Sequence, residues 1–180
     1  ITIVDVNRTA DAVITETNMN NIGKIVITDI CTAGVVKNPV YKERRKINRS
    51  SHGLCFAKSG RMVYYHNGNE YISDKNHILF IPMGESYISS CTEAGEFPLI
   101  NFHAAPSFNP HAFIEIEAKS CYDFIDEYNK LEKIMLLKTD IGHYGAFKTF
   151  YEILKRVYNS SLPVNKKNNY EVLKEAEKHL

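Results

Sequence analysis

Apolar and polar residues alternate through most of the first two thirds of the chain, as they do in strands with one face buried. Residues 24–31 (KIVITDIC) are β-branched and alternate. Residues 52–58 (HGLCFAK) lead through Ser59-Gly60 into 61–66 (RMVYYH), and Asn67-Gly68 then supplies the positive-φ pair that a tight hairpin favours. The pattern predicts further strands at 70–73, 77–81, 86–91, 99–103 and 112–117, with Pro82-Met83-Gly84 ending the one at 77–81. Short strands about ten residues apart, joined by Gly, Asn and Pro turns, predict a barrel or double-sheet jelly roll.

After residue 120 the period changes from two to about 3.6. Cys121, Phe124, Ile125, Tyr128, Leu131, Ile134 and Met135 recur at helical spacing. Asp140 is placed to cap a second helix whose stripe holds Phe147, Phe150, Tyr151, Leu154, Val157 and Tyr158, and Ser160-Ser161-Leu162-Pro163 stops it. Residues 166–169 are polar and suit a linker. Residues 170–180 (YEVLKEAEKHL) begin another helical pattern with no stop signal, and the chain is expected to continue beyond it. The expected organisation is an N-terminal arm (1–21), a barrel (22–118), a helical segment (119–162) and a linker with the start of a further domain (163–180).

A chain of 180 residues, 44% of them apolar, has material for one sizeable core. Its 22 basic and 21 acidic residues balance to a net charge of +1, which excludes a highly charged disordered chain and gives no whole-chain signal for nucleic acid. Nowhere do 18 apolar residues run together, so no membrane span is expected. Asp5, Arg8 and Asp11 interrupt the opening stretch, which therefore lacks a signal peptide's apolar run. Cys31, Cys55, Cys91 and Cys121 are scattered without any CxxC, as in a reduced cytoplasmic protein.

Candidate chemistry is sparse. Seven histidines are present, but no HxH that would point two ligands inward from one strand. Three convergent metal ligands cannot be assembled from the spacing, so neither metal nor cofactor is expected. There is no GxSxG, no cysteine in an obvious histidine context, and no glycine-rich phosphate loop. Asp74 and Glu85 flank a strand without pairing as an acid/base couple. The chain is not expected to be an enzyme. Two features remain. The basic cluster 42–46 (KERRK) with Arg49 reads as a solvated loop, the alternative being that one arginine turns inward and clamps a polar or anionic small molecule. The 11 tyrosines and 9 phenylalanines lie partly on strands, at Tyr64, Tyr71, Tyr87, Phe56 and Phe97, where some must line the interior.

In order and spacing, the run from Arg45 to His103 resembles the cupin-like effector-binding domain of the AraC family of transcription regulators. The residues that carry the resemblance are Arg45 before the first strand, Gly60 at a strand end, the Asn67-Gly68 hairpin, Tyr71, the Pro82-Met83-Gly84 turn, and the closing Ile100-Asn101-Phe102. Tyr87 stands where the family often has histidine, and Lys75-Asn76 replaces its usual glycine-aspartate. Residues 150–158 (FYEILKRVY) are similar to the family's second helix, which packs on the barrel and helps form dimers. Residues 170–180 look like the start of the helix that opens its DNA-binding domain; the helix-turn-helix pair itself is not present.

The resemblance implies a cupin-like β-barrel followed by a helical dimerisation hairpin. It implies a sensor module for a small effector, most commonly a sugar, that controls an attached DNA-binding domain. DNA would be a partner only through that absent domain, and no membrane is implied. Within such a barrel, strand parity points Tyr87 and Ser89 inward with Leu54, Phe56, Met62, Tyr64, Leu99 and Asn101, and Arg45 closes one end. Both helices offer more apolar width than packing on a barrel uses. A homodimer, or a weak monomer–dimer equilibrium, is therefore expected on Tyr128, Leu131, Tyr144, Phe147, Tyr151, Leu154 and Tyr158. Two other readings are a metal-dependent cupin enzyme, an isomerase or dioxygenase, and a stand-alone carbohydrate-binding module.

Overall fold

A computed structural model describes residues 22–108, 110, 112–137 and 140–161. The expected N-terminal arm (1–21) and the linker with its further helix (163–180) lie outside the described residues. Nine strands are formed among the described residues: β1 (Ile27–Asn38), β2 (Tyr41–Lys46), β3 (His52–Cys55), β4 (Arg61–His66), β5 (Asn69–Ser73), β6 (His77–Ile81), β7 (Tyr87–Glu93), β8 (Gly95–Ala104) and β9 (Ile114–Glu117). They make two antiparallel sheets, ordered β1-β8-β3-β6-β9 and β2-β7-β4-β5. Among the described residues no strand of one sheet pairs with a strand of the other. Of the two expected arrangements, the fold is thus the double-sheet one, with strand order β1-β8-β3-β6 facing β2-β7-β4-β5 as in a jelly roll, and its sheets do not close into a barrel. The β4–β5 hairpin turns on Asn67 and Gly68 at φ 49° and 79°, the positive pair its two-residue loop needs.

β2 falls on the basic run read above as a loop. It is an edge strand, and five of its six residues are exposed. Charged side chains suit that place, because they keep a free edge from pairing with another chain.

A 3₁₀ turn (Cys121–Phe124) leads into helices α1 (Ile125–Leu137) and α2 (Asp140–Ser161). Ser120 starts the turn, its Oγ accepting from the Tyr122 N–H at 3.1 Å. Both helices lie on the outer face of the five-stranded sheet. Phe124, Tyr128, Leu131, Phe150, Ile153 and Val157 share one core with Ile30, Leu54, Phe56, Ile78, Phe80, Ile100 and Phe102. Phe150 meets Phe102 edge to face at 4.9 Å between centroids. Each such fully buried side chain is worth about 1.5–3 kcal/mol over an exposed one. The Ile27 N–H donates to the Tyr151 hydroxyl at 2.8 Å, and Arg156 pairs with Glu127 at 2.6 Å to tie the helices together.

Covered by helices on one side and by the second sheet on the other, the central strands β3 and β6 of the five-stranded sheet are buried on both faces, while its edge strand β1 stays largely exposed. β3 is buried at every residue. The helical cover also corrects the expected dimer surface. Tyr128, Leu131 and Leu154 are buried inside the fold and face no partner. Phe147 and Tyr158 are half-buried, whereas Tyr144 and Tyr151 are exposed.

Candidate ligand-binding site

The sheets part at one end to leave a cavity of about 260 Å³. Its interior is built from β1, β3, β4, β7 and β8: Val36, Cys55, Met62, Tyr64, Phe97 and Leu99, with Tyr87 and Ser89. Phe113 packs in the same core cluster as Tyr64, with ring centroids 5.2 Å from Tyr71, 5.4 Å from Tyr87 and 4.7 Å from the buried His66 ring. Burial pushes the Tyr64 phenol and the Cys55 thiol up, so both are neutral donors at physiological pH.

The mouth carries Arg44, Arg45 and Lys46. In antiparallel pairs, directly opposed residues share a face. Arg44 opposes Ser89 and Lys46 opposes Tyr87, which places both cations on the cavity side of β2. Arg44 stacks over the Tyr41 ring at 4.1 Å and donates to Asn38 Oδ1 at 3.1 Å. The Tyr41 hydroxyl shares a hydrogen bond with Ser89 Oγ at 3.2 Å.

The interior cation is Arg49, on the loop between β2 and β3. Its Nε donates to the Ser51 carbonyl at 2.9 Å, Nη1 to the Tyr87 hydroxyl at 3.2 Å, and Nη2 to Asn101 Oδ1. The backbone fixes it against the Pro82-Met83-Gly84 turn. Arg49 N–H donates to the Glu85 carbonyl at 3.0 Å, and Gly84 N–H to the Arg49 carbonyl at 2.7 Å. Arg49 is 7% exposed, yet among the described residues no carboxylate lies within ion-pair reach of it. Three neutral acceptors occupy three of its five N–H donors. It lines a polar groove with Cys31, Thr32, Lys46, Ser50, Ser51, Leu99 and Asn101, which adjoins the cavity at Lys46 and Leu99.

The fold brings Met62, Tyr64, Tyr87, Ser89 and Leu99 together in the cavity, and sets Asn101 in the adjoining groove. Leu54 and Phe56 are corrected. They point into the helical core, and Cys55 is the β3 residue that faces the cavity. Arg45 opposes Ile88 on the outer face of its sheet and is exposed; it touches the cavity only at the rim, and Arg49 is the inward arginine. A β-bulge between Tyr41 and Arg44 shifts the parity of β2 and puts Arg44 and Lys46 inside. Phe97, one of the strand aromatics expected to line the interior, does so, whereas Val36, Asn38, Tyr41, Arg44, Lys46 and Cys55 were not foreseen as lining residues.

His52 is buried between Phe80, Phe102 and Phe108, and its Nδ1 accepts from the Met83 N–H at 3.0 Å. Burial, then the nearby His103 and Arg49, lower its pKa to about 4, so it is a neutral structural residue. At the open end of the same sheet, Asp29, Cys31 and His103 bring one ligand atom each within 4.8 Å of one another, a convergence that sequence spacing did not disclose. All four cysteines are free thiols. No described helix is long and apolar enough to cross a membrane.

Comparison with known proteins finds no matching family and no matching curated relative. Among solved structures, the chain is similar to an apo ToxT variant from Vibrio cholerae strain SCE256. The identity is 8% and the TM-score 0.41, over 80% of this chain and 64% of that one.

Proposed function

We propose that this chain is the ligand-sensing and dimerisation domain of an AraC-type transcription regulator, and that its effector is a small acidic molecule held between the sheets. The order of motifs from Arg45 to His103 supports the family, and the sheet-then-helices architecture is consistent with it. Buried Arg49 carries the reading of the ligand. A charge taken out of water without a counterion is costly, and here the nearest partners are all neutral. An anion entering past Arg44 and Lys46 would supply the missing charge, while its body packs on Met62, Tyr64, Phe97 and Leu99. A sugar acid or sugar phosphate meets both the family resemblance and this rim, since aromatic faces stack on sugar rings and a guanidinium grips a carboxylate or phosphate in bidentate fashion.

Screening by thermal shift tests the proposal, because a ligand of the folded state raises the melting temperature. Sugar acids and sugar phosphates should include a binder whose shift is lost in Arg44→Ala. Binding confined to neutral sugars, with the shift unchanged in Arg44→Ala, would overturn the assignment of an acidic effector.

A further inference from the structure

We infer that Asp29, Cys31 and His103 form a three-ligand site for a divalent transition metal of the zinc class, at the open end of the concave face of the five-stranded sheet. The site borders the effector cavity through the polar groove that Cys31 shares with Arg49 and Lys46, and it does not depend on the regulator assignment.

The backbone builds it. Register shifts between Ile27 and Asp29, and again between Ile30 and Thr32, place two bulges in β1 against β8. A bulge lets an extra residue point where strand alternation would not send it. Asp29 opposes His103 directly and Ile30 opposes Phe102 in the helical core. Cys31 is the unpaired residue before Thr32, and its thiol is aimed at His103.

The spacing fits one ion. Cys31 Sγ lies 3.7 Å from Asp29 Oδ2 and 3.8 Å from His103 Nδ1, and Nδ1 lies 3.8 Å from the same carboxylate oxygen. A tetrahedral ion with ordinary zinc bond lengths separates such ligands by about 3.3–3.6 Å. The three atoms therefore need to close in by only a few tenths of an ångström.

His103 Nε2 meets the Ser50 carbonyl at 3.1 Å, so the proton sits on Nε2 and Nδ1 is the nitrogen left to bind an ion. Metal-bound histidines are commonly held in this way by a carbonyl on the far nitrogen. Cys31 Sγ stands beside the ring, 3.8 Å from Nδ1 and 3.9 Å from Nε2, so the imidazole must turn to bring its Nδ1 lone pair onto an ion shared with the thiolate.

Ligand chemistry narrows the ion. A thiolate with an imidazole disfavours magnesium and calcium and suits zinc or its cobalt substitute. One thiolate and one carboxylate neutralise a dication, so the loaded site would add no net charge beside Arg49 and Lys46 in the adjoining groove. The fourth position is left for water or an anion.

The test uses the full chain without a histidine tag, titrated with Zn²⁺ and separately with Co²⁺. The expected result is one equivalent bound, with tetrahedral cobalt bands in the visible and a thiolate-to-cobalt charge-transfer band in the near ultraviolet. Cys31→Ser should abolish the charge-transfer band, and His103→Gln should weaken zinc binding by more than about tenfold. His143→Ala, a change on the exposed face of α2, should leave both unchanged. Circular dichroism of each variant before metal addition identifies any that fail to fold, and the outcome is read from those that do. Absence of the charge-transfer band in the unmodified chain, or stoichiometric binding that survives both Cys31→Ser and His103→Gln, overturns the site.

Discussion

Gly53 lies directly beneath the guanidinium of Arg49: a Cβ at position 53 would come within 2.5 Å of Nη2 and 3.0 Å of Cζ. The missing side chain lets β3 pass close enough for Arg49 to reach Tyr87 and Asn101 at once. The glycine is thus required for access to a neighbour, and it carries no positive φ.

Gly53→Ala should therefore destabilise the fold by about 1–3 kcal/mol, since the guanidinium must be displaced from a packed site. In an Arg49→Ala background the same change should cost much less, leaving a coupling energy of about 0.5–3 kcal/mol. Urea denaturation of the four proteins measures this. Additive effects would show that the close approach is relieved elsewhere.

Arg49→Lys should lose stability almost as Arg49→Ala does, by about 1–3 kcal/mol, because an ammonium cannot serve the Ser51 carbonyl, Tyr87 and Asn101 with a planar fork. Full stability in the lysine variant would show that charge alone suffices at this position.

Stability should also fall in mild acid. The folded state holds the His52 pKa near 4, against about 6.5 in an unfolded chain. Between these values the unfolded state binds more protons, so stability drops as pH falls from 6.5 toward 4 and levels off below. The loss is at most about 3–4 kcal/mol at 1.36 kcal/mol per pKa unit. His52→Gln keeps an acceptor for the Met83 N–H and should flatten that part of the profile. An unchanged slope in equilibrium unfolding from pH 7 to 4 would assign the effect to other groups.

The strands from β3 to β8 were legible because their turns are chemically marked, by Gly60, Asn67-Gly68 and Pro82-Met83-Gly84. Their facing was not. Period-two alternation gives a phase only when one face is wet, and HGLC in β3 and HILFI in β6 are apolar or buried on both sides. That is why Leu54 and Phe56 read as inward and point instead to the helices. β2 was hidden for the opposite reason: an edge strand of exposed charges has the composition of a loop. Asp29, Cys31 and His103 meet through bulges and a pairing that spans 74 residues, from 29 to 103, which no local pattern encodes.

Gly34 marks open space. It opposes Leu99 on the cavity side of β1, and a Cβ there would meet nothing within 4 Å. Gly34→Ala should stabilise the protein by about 0.5–1 kcal/mol, because alanine gives up less backbone entropy in a strand. A rise in melting temperature without ligand checks this. A fall would mean that the strand needs the glycine for its own conformation.

The dimer expected from the helices must use what the fold leaves uncovered. With Tyr128, Leu131 and Leu154 consumed inside, the large apolar residues exposed on the helices, among the described residues, are Leu136, Leu137 and Tyr144, at 75%, 68% and 79%, with Tyr151 at 40%. Gly145 lies against Ile134, which brings the start of α2, and with it Tyr144, to the end of α1. An exposed apolar tip on paired helices suits a two-fold contact with a second copy, in which the same patch meets itself. Tyr144→Glu places two like charges across such an axis and leaves the core untouched. Light scattering over a concentration series should show dimer for the unmodified chain and monomer for Tyr144→Glu, with the same melting temperature at low concentration. A single-chain mass for the unmodified protein at every concentration would refute the dimer. A dimer that persists in both Tyr144→Glu and Leu137→Glu would move the contact away from this tip.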